Sequence, residues 1–236
     1  MLAVFVNMAT VLLGSAIGIL FRKRIKESYT KAIIAALALV TIVIGVSSAI
    51  TTENLLCVIV CMALGTMLGE LLRLDDLING AGDFIKARLL KGKAGDSRFT
   101  EGFVSACILF CVGSMTIMGS LEAGVNHDYS IIFAKSALDF VSAMMFGAAM
   151  GVGVPFSALF ILVFQGGITL LAGLVAPYLS QAIVTEMTAV GGTILIGMGC
   201  NMLELGKKPI KIANMLPAIF LPIAYIPFAH WISSLL

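Results

Sequence analysis

The chain has 236 residues, 60% of them apolar, and its 15 basic and 13 acidic side chains make it 12% charged, where a soluble domain carries about 25%. With a mean hydropathy of +1.08 it lacks the polar surface that a water-soluble fold of this size needs. Composition thus excludes a secreted domain, a cytosolic enzyme and a nucleic-acid binder, and makes the lipid bilayer the main partner.

A hydrocarbon core of about 30 Å takes about 20 helical residues. In chain order the segments that fit are Leu2–Phe21, Ala32–Ile50, Leu55–Leu72, Gly102–Ser120, Ile131–Met150, Phe156–Leu179, Thr188–Leu203 and Met215–Leu235. The prediction is a single all-α, polytopic membrane domain over 1–236 with about eight transmembrane helices. The apolar stretch from Ile131 to Leu179 is too long for one span, and Gly151-Val-Gly-Val-Pro155 supplies its break. The seventh segment is the shortest and is rich in glycine.

With Met1 outside, the inner connections are 21–31, 73–101, 151–155 and 204–214. They hold 14 of the 15 basic residues, among them Arg22, Lys23, Arg24, Lys86, Arg88, Lys207 and Lys208. The opposite loops hold Glu53, Glu122, Asp128 and Glu186, with no lysine or arginine. Basic residues in short loops mark the cytoplasmic side, so both termini are predicted outside a bacterial inner membrane. The first segment has no basic flank before it and no cleavage motif after it, so it reads as a span and not as a signal peptide. The 73–101 link alternates Leu77, Ile78, Phe84, Ile85, Leu89 and Leu90 with basic residues. It reads either as an amphipathic helix on the inner interface or as a charged loop.

Small residues recur at helical spacing in segment one (Gly14, Gly18) and segment three (Gly65, Gly69), as in close-packed membrane helices. These seams fit packing within one chain or in a homo-oligomer. Laying Gly113-Ser114 over Gly199-Cys200 aligns segments four and seven, which run in opposite senses. That suits either inverted repeats with glycine-broken helices or common membrane packing.

Charged side chains in hydrocarbon are costly and are normally paired or turned to a wet cavity. Lys135 and Asp139 stand four residues apart on one helix face, within each other's reach. If the chain turns near Gly153, Gln165 reaches about the depth of Asp139, some 20 Å from the inner end. Ser114 and Thr116 share that depth. Asn201 lies near the inner end of segment seven, where it could line a path, and Asn7 near the outer end of segment one could cap a polar cleft.

Cys57/Cys61 and Cys107/Cys111 each place two thiols on one face but at different depths, and no histidine is near either pair. They read as small buried apolar groups and not as metal ligands. No nucleophile elbow, zinc-protease motif, phosphate loop or dinucleotide fingerprint is present, so neither an enzyme nor a cofactor is expected.

The stretch Glu101-Gly-Phe-Val-Ser-Ala-Cys-Ile-Leu-Phe-Cys-Val-Gly-Ser-Met-Thr-Ile-Met-Gly119, followed by Lys135-Ser-Ala-Leu-Asp139, Gln165-Gly166, Asn214 and Pro217, resembles the bacterial integral membrane family labelled domain of unknown function 554. The resemblance covers almost the whole chain. It implies a multi-span inner-membrane protein of unestablished activity, sometimes described as a transport protein, and it implies no catalytic residue. Members commonly read glycine-proline where this chain has Gly113-Ser114, so a relaxed kink is expected in segment four.

Two functions fit. One is a small secondary transporter of a solute or ion. In it Asp139 takes a proton or coupling cation, Lys135 tunes its charge, and Gln165, Ser114, Thr116 and Asn201 supply polar contacts. The alternative is a non-transporting scaffold or regulatory subunit in which Lys135–Asp139 only locks helices together.

Overall fold

The structure is a computed structural model and describes residues 1–22, 27–78, 80, 99–111 and 113–233. The described residues form helices and connecting turns. The helices are α1 (Leu2–Arg22), α2 (Glu27–Ala49), α3 (Leu55–Leu72), α4 (Phe99–Cys111), α5 (Ser114–Val125), α6 (Ser130–Met150), α7 (Ser157–Leu170), the single turn α8 (Ala172–Val175), α9 (Gln181–Met202) and α10 (Pro222–Ser233). Shorter 3-10 turns cover Gly151–Phe156, Ala176–Tyr178 and Ile212–Phe220. Five helical stretches are long and apolar enough to cross a membrane, or up to seven when α4–α5 and the 212–220/α10 pair each count as one bent span. The protein is an all-α, polytopic membrane protein. Most of the 73–101 link, and with it the expected interfacial helix, lies outside the described residues.

Apolar side chains face both ways. Leu39, Val43, Ile59, Met67 and Leu71 are exposed on α2 and α3, the arrangement that lipid permits and water does not. The core is built around α9. That segment is longer than the sequence suggested: it begins at Gln181, capped by the Ser180 hydroxyl, which accepts the Ile183 N–H, and continues through four interior glycines. Its glycines serve packing and not breakage. A Cβ on Gly192 would stand 2.6 Å from the Gly45 carbonyl oxygen, and one on Gly199 would stand 2.4 Å from the Ile42 side chain.

The small-residue seams are filled within the chain. A Cβ on Gly18 would lie 2.0 Å from the Met144 carbonyl oxygen, and one on Gly14 would lie 2.4 Å from that of Phe140, so α1 and α6 run side by side in the same direction. Gly65 and Gly69 seat the 212–220 turn in the same way, against Ala218 and the Asn214 carbonyl. Where lipid gives helices no hydrophobic reason to associate, such backbone contact supplies the dispersion and shape fit that holds them.

Two glycines do break the chain. Gly151 (φ 80°) ends α6, and the 41-residue stretch Ser130–Leu170 turns back on itself there. A straight helix would hold Asp139 and Gln165 about 39 Å apart, yet both reach Asn7 of α1. The two arms scarcely touch each other; α1 lies between them. Gly113 (φ 142°) separates α4 from α5, which meet at 59°. The bend therefore persists with serine in the following position, against the relaxed kink expected from Gly113-Ser114. A glycine at positive φ redirects the chain without needing a proline. Gly199, its counterpart in the proposed overlay, sits inside a continuous helix, so the two junctions are unlike.

Candidate functional site

Segment five supplies the charged pair because its i,i+4 spacing stacks Lys135 over Asp139. Both are buried, at 6% and 7% exposure, and the Lys135 ammonium donates to Asp139 Oδ2. The ammonium also lies 6.0 Å from the centre of the Phe110 ring, at the C-terminal end of α4, and the Cys111 thiol is close enough to feel both charges. The pair thus faces the α4–α5 break. Thr116 spans that break: its Oγ1 donates to the Phe110 carbonyl (3.0 Å), which the bend has released from the helix ladder.

From the other side, α1 inserts Asn7. The Asn7 amide nitrogen donates to Gln165 Oε1 (3.1 Å), and Asn7 lies close enough to the Asp139 carboxylate to favour its charge. Asn7 and Gln165 are completely buried. Their outer atoms, Asn7 Oδ1 and Gln165 Nε2, have no partner. A buried polar atom left unpaired costs about 1–3 kcal/mol. Here an acceptor and a donor are both left open, one residue contact away from an ion pair. Such a junction can hold a proton, an ion or a small dipolar group by exchanging internal partners for external ones.

Four of the residues expected in the site meet around this junction: Lys135, Asp139, Gln165 and Thr116. Acid and amide share one level, but Asn7 joins them and they do not meet directly. Asn7 carries more of the site than its sequence position suggested. The signal was present, since an asparagine five residues into an apolar span has no cheap alternative to an interhelical partner.

Two expected residues lie elsewhere. Ser114, the first residue of α5, is exposed because the bend at Gly113 turns it away from the junction. Asn201 borders an inner cleft, but its amide is engaged by the loop after α9: Nδ2 donates to the Ile210 carbonyl and Oδ1 accepts the Ile210 N–H, both at 2.8 Å. It staples that loop and is not turned toward the pair.

Glu186 is a further departure. Expected in an outer loop, it is a buried residue of α9 (2% exposed), because α9 starts earlier than hydropathy indicated. Its carboxylate accepts from Thr52 Oγ1 (2.7 Å) and from the Glu53 and Asn54 N–H groups (2.8 and 3.0 Å), tying the α2–α3 turn to α9. Cys57 and Cys61 sit beneath it with sulfurs 3.7 Å apart. At the opposite end of α3, Asn214 accepts the Asp75 N–H (2.7 Å) and donates to Glu70, which also holds Lys211 (2.9 Å).

Fold and junction together define a multi-pass α-helical membrane protein with charged and amide groups buried among its helices. The chain belongs to the family described as protein of unknown function (DUF554), whose model matches residues 2–226. It is 30% identical over 221 residues to the uncharacterized protein YqgA of Escherichia coli (strain K12), covering 92% of each chain. It is 28% identical over 230 residues, 95% of each, to the uncharacterized membrane protein YdfK of Bacillus subtilis (strain 168). No solved structure matches the chain.

Proposed function

We propose that this protein is a secondary transporter of a small solute or ion and not an enzyme, and that Asp139 is its proton- or cation-coupling group. One observation carries the reading: Asn7 gathers Asp139 and Gln165 at one depth and leaves an acceptor and a donor unpaired beside a broken helix. A transporter needs polar groups inside the bilayer and helices that rock around them; the α4–α5 and 212–220/α10 bends are suited to that motion without requiring an inverted repeat. Counting the two arms of Ser130–Leu170 separately and each bent pair as one gives eight crossings. With the positive-inside bias, that count supports the reading that both termini lie outside a bacterial inner membrane.

Lys135 holds Asp139, and both are buried. An arriving proton or cation would compete with the ammonium for the carboxylate. The test is flux in proteoliposomes across a panel of amino acids, sugars, organic acids and alkali cations, recorded as a function of pH. At least one solute should give pH-dependent flux that Asp139→Asn abolishes. No flux with any of them, or flux unchanged in the variant, overturns the reading.

The burial of Lys135 against Asp139 also favours the locking role, in which a scaffold or regulatory subunit uses the pair as helix glue. Replacing both residues with well-packed apolar ones would then preserve abundance and all activity. The seams that suited a homo-oligomer are occupied within one chain, so any oligomer would use another face.

A further inference from the structure

The inner end of the bundle contains a cleft of about 1060 Å³. Three helices reach its floor: α4 with Val104 and Ser105, α6 with Met150, and α9 with Met198 and Met202. On each of them the residue one turn deeper is apolar and shut off from solvent: Ile108 on α4, Phe146 on α6 and Leu195 on α9, at 1–3% exposure. These three belong to one continuous core cluster. Another one to two turns along the same stripes come Cys111 and Asp139. On α6, positions 139, 146 and 150 are seven and four residues apart and so lie on one face. The rise from Phe146 to Asp139 is about 10 Å. A cleft rimmed by charged side chains and a buried ion pair are thus separated by an apolar layer of about 10 Å, Phe146 and, one turn deeper on α6, Ala143.

We infer that this layer is an inner gate: Ile108, Phe146 and Leu195 close the path between the cleft and the Lys135–Asp139 junction. The inference rests on the transport reading for its purpose, but not for its geometry. An ordinary core would show no preference for this place. Here polar surface lies on both sides of the layer, so thinning it joins two regions that attract water. An apolar cavity walled only by apolar groups would instead stay dry.

Four of the five cysteines provide the readout. Cys111 lies above the layer, beside the pair; Cys57 and Cys61 are buried near the Glu186 clamp; Cys200 is partly exposed. The full-length protein in nanodiscs is treated with a charged, membrane-impermeant methanethiosulfonate, and each cysteine is followed by mass spectrometry. In the unaltered protein Cys200 should react and Cys111 should not. In Phe146→Ala, and independently in Leu195→Ala, Cys111 labelling should accelerate by roughly tenfold or more, since the removed side chains leave a large void. Cys57 and Cys61 should stay unreactive, which shows that the fold is kept.

Cys111 unreactive in both variants, with Cys57 and Cys61 still protected, overturns the gate. Labelling of all the cysteines together in both variants also overturns it, because the residues would then be ordinary core. Cys111 opening without flux of any solute sinks transport and leaves the gate standing.

Discussion

Among the described residues two acids, Glu186 and Asp139, are buried, and their surroundings differ. Glu186 accepts three hydrogen bonds from one short turn, and its carboxylate is fully engaged in holding α3 to α9. Asp139 is held by a lysine on its own helix with Asn7 of α1 close by, and Asn7 Oδ1 and Gln165 Nε2 are left without partners. On the transport reading, the difference separates a structural buried charge from one free to exchange partners. A completed network rigidifies the fold; an open one holds stability in reserve for a ligand or proton to release.

The largest expected effect breaks the structural side. Glu186→Ala removes three charge-assisted hydrogen bonds to the Thr52–Asn54 turn and should cost about 3–5 kcal/mol, the half-exposed donors regaining water in part, read as a lowered thermal midpoint in detergent, while flux per folded molecule is retained. Asp139→Asn is told apart by flux and not by stability: it should eliminate coupled flux and, because it leaves the buried Lys135 ammonium without its counter-charge, cost about 3–5 kcal/mol by the same assay.

A sharper version uses the open amides. Asn7→Leu combined with Gln165→Met replaces both partners with apolar groups of similar shape, so the midpoint should stay within about 1 kcal/mol of the parent or rise. Each single substitution should lower it, and flux should be absent in the double variant. A double variant as unstable as the sum of the singles would mean that the two amides are not coupled, which overturns the open junction.

The smallest effect lies outside the bilayer. Asp128 accepts both the hydroxyl and the backbone N–H of Ser130 at the start of α6, which hold its carboxyl below the usual carboxylate range. Its contribution is present above the unfolded carboxyl pKa and disappears as pH falls through the lower folded value. Asp128→Ala should therefore lower the midpoint slightly near neutral pH and not at all in strong acid, as a pH series of melting curves would show.

Much of the fold could be read along the chain. Hydropathy located the long helices, the Gly151–Pro155 break was visible as a composition shift, and the spacing of Lys135 and Asp139 already implied one face. Other features were hidden for identifiable reasons. Glu186 carried the mark of a loop because hydropathy averages over a window and cannot see a carboxylate satisfied by a turn more than 130 residues away. Ser114 and Thr116 were equivalent in sequence, and only the bend at Gly113 placed one outside and the other inside.

The sequence by itself determined that this is a membrane protein, how its helices are spaced and which polar residues sit at a cost among them. Those follow from local chemistry: apolar length, helical period and the penalty for charge in lipid. The tertiary structure alone decided what each polar residue does, because that depends on partners brought in from distant helices. Asn7 shows it best: five residues into its helix it is one more buried amide, and only the insertion of α1 between α6 and α7 makes it the link between acid and amide.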